Sequence, residues 1–388
     1  MRDIALSEAL ELCGRHRVET GSEAVPVRDA AGRVLAEDVR AAADIPTGDS
    51  SAMDGWAVRA ADTPGWVRVV GEHRAGHGAA VRVTEGTAVR ISTGALVPEG
   101  ADAVVRLEEC TAHGDLLEVP VEVRPGRDVR RRGEVIMRGV LMLAAGTTVT
   151  AAAVTSLGAV GLARVAVRRR PRVAVIGLGD ELVPLGGVAR PGEVYDSNRF
   201  GVAAQAEDAG AEVISCTRVG DDPAAVVAAI RVALAAGANL VVTIGGASVG
   251  PHDHVRPSME AAGVRPVFHG VRVRPCRPVW LGAGDDAVGL ALPGNPASAA
   301  IAFHLFGRVL LGRGSGWRHR APLSIPWEGR PGTVEVLRCG VRNGTLHPLA
   351  SQAPHAVTTI AFAEALALVE GTVAAGTPVP FTPLDPDG

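Results

Sequence analysis

The chain has 388 residues, of which 47% are apolar and 21% charged, and carries a net charge of −3. That length exceeds one ordinary core and predicts several domains, while the near-neutral balance offers no global field to hold a nucleic acid. No apolar run approaches the roughly 20 residues a bilayer requires, so no membrane span is expected. All 39 basic residues are arginine, which excludes a Walker A loop and Schiff-base chemistry because both need lysine. Cys13, Cys110, Cys216, Cys276 and Cys339 are scattered without a C-x-x-C pair and read as free, buried or half-buried thiols.

Residues 3–16 place Ile4, Leu6, Ala9, Leu10 and Cys13 at helical spacing, which predicts a short amphipathic helix. Ser7, Glu8, Glu11 and Arg15 interrupt this stretch, so it is not a secretory signal and a cytoplasmic location is expected. Between Val25 and Val149 the texture changes to short β-type runs, Val67 to Val70, Ala88 to Ile91, Ala103 to Leu107 and Leu116 to Val123, separated by Gly, Pro and Asp turns. A helix is expected over 150–161, and the arginines at 168–170 before Pro171 mark a boundary.

Strand and helix then alternate. Strands are expected at Arg172 to Ile176, Glu212 to Val219, Leu240 to Ile244, Pro266 to Val273 and Val288 to Leu292. Helices follow Ser197 and run over Pro223 to Ala236, Arg256 to Ala261 and Pro296 to Leu311. Alternation with β-branched strands implies a parallel sheet covered by helices on both faces, and ligands of such sheets sit at the carboxyl ends of the strands. From Arg318 onward, short strands at Thr333 to Arg338, Thr345 to Pro348 and Ala365 to Val369 predict a small separate β domain.

The strand-end loops carry the chemistry. Leu240 to Ile244 runs into Gly245, Gly246, Ala247, Ser248, Val249 and Gly250, where glycines bring main-chain N–H groups close to a phosphate. The stretch Gly246 to Gly250 also satisfies G-x-S-x-G, the nucleophile elbow of α/β hydrolases, with Asp285 and His304 or His347 as downstream partners. Against that alternative, residues 251–254 intervene where the elbow's helix must begin at once. His252, Asp253 and His254 are consecutive, so on an extended segment they point to opposite sides, and Asp253 is the better ligand-contacting carboxylate.

Gly179-Asp180-Glu181 and Gly220-Asp221-Asp222 add acids to two more strand ends, Asp222 being also a good helix cap ahead of Pro223. Leu182 stands where a dinucleotide fingerprint needs its third glycine, which argues against nicotinamide binding. The loop through Asn295 to Ser298 supplies further amides. Carboxylates beside a bound phosphate require a bridging divalent cation, so Mg²⁺ is expected. Elsewhere, the loops around Asp54 and Thr93 stand out as polar and glycine-bearing, and Arg130, Arg131 and Arg132 concentrate positive charge.

The stretches SSAMDGWAV, RISTGALVPEGADAVV, GRDVRRRGE, GDEL, YDSNR, GDDP, GGASVG, PCRP and LPGNPAS occur in this order between Ser50 and Ser298. Together they resemble the molybdopterin molybdenumtransferase family, which includes MoeA and the gephyrin E-domain. The resemblance implies a multidomain α/β plus β protein. A discontinuous linking domain would take residues 1–44 and 139–168, a β-rich insertion 45–138, a MogA-like α/β pterin-binding domain 169–314, and a small β-barrel-like domain 318–388. It implies a cytoplasmic homodimer that takes adenylylated molybdopterin, inserts molybdate at its dithiolene and releases AMP with Mg²⁺ assistance.

On this likeness Asp54 and Thr93 approach the nucleotide, and Glu181, Asp221, Asp222 and Asp253 are catalytic, with Glu181, Asp221 and Asp253 holding the metal. Gly245, Gly246, Ser248, Gly250, Asn295 and Ser298 would bind substrate, and Arg274, Arg277 and Arg338 the oxyanion. The family's lysine pair is Arg274 and Arg277 here, with Cys276 between them; Val135 and Pro354 are further departures. Two alternatives keep the fold: an enzyme cleaving another nucleotide-activated small molecule, and a non-catalytic scaffold.

Overall fold

The structure is a computed structural model that describes residues 2–77, 81–246, 254–314 and 316–384. It forms two units: one joins the chain up to Gly21 with the chain from Arg169 onward, the other spans Ser22–Arg168.

The first unit is built on a seven-stranded sheet. Its elements are β1 (Arg2–Ile4), α1 (Leu6–Arg15), β2 (Arg172–Leu178), α2 (Asn198–Asp208), β3 (Glu212–Val219), α3 (Pro223–Ala235) and β4 (Leu240–Ile244). They continue with α4 (Val255–Ala261), β5 (Arg265–Val271), β6 (Val273–Arg274), β7 (Trp280–Ala283), β8 (Val288–Leu292) and α5 (Pro296–Ala302). The strand order is β1-β5-β7-β8-β4-β2-β3.

Successive side chains of a strand leave opposite faces, and β2 shows the result. Val173 and Val175 enter one core with Val202 and Ala206 of α2. Ala174, Ile176 and Leu178 enter another with Val226 and Ile230 of α3. Helices therefore cover both faces, which is why the strand is apolar throughout. The sheet is mixed rather than purely parallel, because β7 runs antiparallel to both β5 and β8. Pro275 and Pro278 hide that strand in the sequence, since they read as loop.

The first twenty-one residues, expected with 139–168, belong to this unit instead. β1 adds in parallel beside β5, Arg2 opposite His269 and Ile4 opposite Val271. Leu6, Ala9 and Cys13 of α1 are spaced on one helical face and bury in the same core as β2 and β4.

The C-terminal segment contributes β9 (His319–Pro322), β10 (Val334–Arg342), β11 (Thr345–Pro348), β12 (Ala365–Glu370) and β13 (Pro378–Pro383). The order β6-β10-β12-β13-β9, with β11 also paired to β10, makes a six-stranded sheet, and a bridge between Leu323, just past β9, and Leu346 of β11 joins its two ends in the barrel-like manner expected. The two-residue β6 ties this sheet to the larger one, pairing in parallel with Val334 and Glu335 of β10.

The second unit holds a six-stranded sheet in the order Ala103–Arg106, Gly55–Val58, Thr87–Ile91, Gly65–His73, Leu116–Val119 and Thr111–His113. A separate small core of Val27, Leu35, Val149, Leu157, Val165 and Val167 gathers the helix Ala151–Ala159 and the ladder of Ser22–Pro26 with Arg164–Arg168.

Candidate functional site

β2, β3, β4 and β8 run in parallel, so the loops leaving their carboxyl ends share one edge. Leu178 lies opposite Val219, Gly177 opposite Ile244 and Ile244 opposite Leu292. Two reversals, through β7, bring the carboxyl end of β5 and the following Arg272–Arg277 to the same edge. From β2 to β5 is four strand spacings, roughly 19 Å at about 4.8 Å each. The edge is therefore a long cleft with chemically different ends.

The acidic end lies over β2, β3 and β4. The Asp180 N–H donates to Oδ2 of Asp221 at 3.4 Å, and the Asp221 N–H donates to Oδ1 of Asp180 at 3.2 Å. These reciprocal bonds lock the two loops together and leave Glu181 exposed beside them. Neither Glu181 nor Asp221 is in an ion pair among the described residues. Gly245 closes the floor: its N–H donates to the Leu292 carbonyl at 3.0 Å, its φ is +95°, and a Cβ would stand 2.6 Å from the Leu178 carbonyl oxygen. Only glycine fits there. Gly246 follows it, and the Asn198 side-chain amide donates to the Gly294 carbonyl at 2.6 Å, fastening the loop before Asn295.

Several expected site residues take other roles. Both carboxylate oxygens of Asp222 accept from the Ala224 and Ala225 N–H groups at 3.3 and 3.1 Å, so Asp222 is the N-cap of α3 and is withdrawn from the catalytic set. Ser298 is buried within α5, and its carbonyl accepts the Cys276 thiol, so its side chain does not reach the open cleft. Asp253, Ser248 and Gly250 lie outside the described residues. Among the described residues no three His, Cys, Asp or Glu side chains form a metal-holding group.

The basic end is a cavity of about 560 Å³ whose walls include Asp3, Arg272, Arg274, Arg277, Arg330 and Glu335. Arg277 grips Asp3 with two bonds, Nη2 to Oδ2 at 2.7 Å and Nε to Oδ1 at 3.2 Å. That fork holds the Asp3 carboxyl below its ordinary range, against a smaller opposing effect of burial. Arg272 donates to the Asp3 carbonyl. Arg274 and Arg330 are exposed, line the cavity and make no ion pair among the described residues. Pro354 also lines this cavity, and its carbonyl accepts the Ala297 N–H at 3.1 Å.

Arg338, expected beside Arg274 and Arg277, is separated from them. It is 1% exposed and lines a second cavity of about 210 Å³ with Gln205, His304 and Arg308. Its Nη2 donates to the carbonyls of Ser351 and Ala353 at 3.1 and 3.2 Å, while Nε and Nη1 find no partner among the described residues. The alternation of β10 explains this: Leu337 and Cys339 face the C-terminal core, which turns Arg338 toward α5. Burial lowers the pKa of Arg338, raises that of the Cys276 thiol, and holds His304 down at about 4.

The second unit brings Asp54 and Thr93 together, the Thr93 N–H donating to Oδ1 of Asp54 at 2.8 Å. Beside Asp54, Gly55 lets the strand of Val105 approach closely, since a Cβ there would stand 2.0 Å from the Val105 carbonyl oxygen. In the arginine run nearby, Arg131 pairs with Asp49 and Arg132 with Asp44, both at 2.6 Å. These two cations are neutralised locally, and backbone N–H bonds first, then the guanidinium groups, hold both carboxyls below their usual range.

Sequence reasoning missed Asp3, Arg272 and Arg330. They come from three distant segments, and no local pattern marks them as neighbours; only the pairing of β1 with β5 and of β6 with β10 does so.

Comparison with known proteins places the chain among relatives along its length. Residues 4–161 match the MoeA N-terminal region (domain I and II), 174–313 a probable molybdopterin binding domain, and 320–384 the MoeA C-terminal region (domain IV). The chain is 38% identical over 325 residues to molybdopterin molybdenumtransferase 2 of Mycobacterium tuberculosis, covering 81% of this chain and 78% of that protein. It is 36% identical over 310 residues to the molybdopterin molybdenumtransferase of a Nostoc species, covering 76% and 71% respectively. A crystal structure of a molybdopterin biosynthesis MoeA protein from Pyrococcus horikoshii superimposes with a TM-score of 0.87 at 28% identity, covering 99% of this chain and all of that one. The chain belongs to the MoeA family of molybdopterin molybdenumtransferases, transferases of molybdenum cofactor biosynthesis that bind molybdopterin.

Proposed function

We propose that the chain takes adenylylated molybdopterin along the carboxyl edge of its larger sheet, inserts molybdate at the dithiolene and releases AMP. The observation that carries this reading is the polarity of the edge: unpaired carboxylates over β2 and β3 at one end, an arginine-lined cavity beyond β5 at the other. A substrate that carries both a phosphoanhydride and a dithiolene acceptor for an oxyanion needs carboxylates to hold a cation and arginines to hold the oxyanion.

At the basic end, Arg274 and Arg277 would hold molybdate through charge-assisted hydrogen bonds, and the planar fork of arginine suits a tetrahedral oxyanion. At the acidic end, the donor set fits Mg²⁺, which prefers one or two carboxylates completed by substrate phosphates. Glu181 and Asp221, with Asp253, would hold it, and Mg²⁺ when bound supplies charge neutralisation to the phosphoanhydride. Gly246 would bring its main-chain N–H against the phosphate, Gly245 shaping the turn while its own N–H stays on Leu292, and Asn295 would orient the pterin from the adjoining loop. Asp54 and Thr93, fixed to each other, would act on the nucleotide side. We infer that the working form is a homodimer in which these two residues come from the second copy.

The test is reconstitution. Purified chain given adenylylated molybdopterin, Mg²⁺ and molybdate is expected to release AMP in step with active cofactor. AMP release without cofactor would move the reading to another nucleotide-activated substrate, and no release would end it.

A further inference from the structure

The basic cavity contains a carboxylate that the reaction does not require. Asp3 occupies the fork of Arg277 with both oxygens, at 2.7 and 3.2 Å, in a wall that also holds Arg272, Arg274 and Arg330. An anion entering this cavity meets Asp3 as a competitor for Arg277 and as a like charge. Asp3 is also placed with care: its φ is +53°, and β1 holds it opposite Gly270, where a Cβ would stand 2.7 Å from Oδ1 of Asp3. A non-glycine residue at positive φ is uncommon and marks a position fixed by its surroundings.

The charges of the wall give the reason. Four arginines face two carboxylates, Asp3 and Glu335, and Glu335 is further held by the Trp327 indole N–H at 2.9 Å. Two positive charges remain, which matches a dianion. Without Asp3 there would be three, and the cavity would favour the more highly charged phosphates that accompany nucleotide substrates. On the reading that this cavity takes the oxyanion, we propose that Asp3 is a specificity-determining residue: its carboxylate, lodged in the fork of Arg277, keeps the cavity matched to a tetrahedral dianion and against tri- and tetra-anionic phosphates.

Removing the Asp3 charge should favour each anion in proportion to its own charge. The experiment measures dissociation constants of the full chain for molybdate, tungstate and pyrophosphate by calorimetry, at one salt concentration because screening scales all of them. In Asp3→Asn, molybdate and tungstate are expected to bind about tenfold tighter and pyrophosphate about thirtyfold tighter or more, so that selectivity for the dianion falls at least about threefold. Asp3→Glu keeps the charge and is expected to keep the wild-type ratio, which separates charge from damage to β1. An unchanged ratio in Asp3→Asn, weaker binding of every anion, or loss of the ratio in Asp3→Glu overturns the role of Asp3 alone. Wild-type protein that binds neither molybdate nor tungstate overturns the reading of the cavity itself and the proposal with it.

Discussion

The two ends of the same sheet edge are assembled by opposite means. At the acidic end the contacts are made by residues immediately past the strand ends, with Asp180 and Asp221 bonding each other's main chain and Asp222 capping α3. At the basic end nothing is local: Asp3, Arg272 to Arg277 and Arg330 meet because β1 adds beside β5 and β6 beside β10. Turn chemistry fixes one end and strand pairing fixes the other. The acidic end should therefore tolerate changes elsewhere in the fold, whereas the basic end depends on two short edge strands.

The largest expected effect tests the basic end. Arg274→Ala with Arg277→Ala should lower molybdate-dependent cofactor formation about a thousandfold, since loss of even one preorganised donor to a developing charge costs about 10²–10³. Both side chains are exposed, so the melting temperature should hold within the small range of surface substitutions. Turnover together with tungstate binding checks this. A double variant that still binds tungstate like the wild type would mean that the cavity is not the oxyanion end.

How much of this was legible in the sequence follows from the same contrast. The strand-helix alternation from Arg172 and the acids that follow β2 and β3 are local patterns found where the reading puts them, while of the first glycine loop only Gly245 and Gly246 are among the described residues. Asp54 and Thr93 were picked from separate loops and meet at 2.8 Å. The misses are of the non-local kind. Arg338 sits on a strand whose facing is set by burial of Leu337 and Cys339 in another core, so its basic character says nothing about which cavity it enters. β7 lies within a proline-flanked run that resembles a loop, and its antiparallel course depends on neighbours distant in sequence. β1 is three residues long, too short to announce a strand.

A second test probes the ground beneath the basic end, where the acidic end has no counterpart. His304 lines the cavity of Arg338, and burial, reinforced by Arg308, holds its pKa at about 4 against an ordinary 6.5. Between those values the native state binds fewer protons than the unfolded chain, so stability rises with pH across the window. The contribution is fully present above about 6.5 and is lost as pH falls through 4, at most roughly 3 kcal/mol. His304→Gln should flatten this part of the profile, so the gap between variant and wild type in urea melts should change from pH 7 to pH 4. A constant gap would place His304 outside the acid response.

The smallest effects separate two acids of one end that the sequence groups together. Glu181 is exposed and in no ion pair among the described residues, whereas Asp222 spends both oxygens on main-chain N–H groups of α3. If Glu181 holds substrate-bound metal, Glu181→Gln should keep the size and hydrogen bonding of the side chain but lower turnover about a hundredfold, with no change in melting temperature and a raised Mg²⁺ requirement. If Asp222 is a cap, Asp222→Ala should lower stability by about 1 kcal/mol, and turnover per folded molecule should stay within about twofold of the wild type. Asp222→Asn, which retains a capping oxygen, should recover most of that stability. The opposite split, with Asp222→Asn folded and inactive, would return Asp222 to the catalytic set and show that its place at the start of α3 aims a negative charge into the cleft.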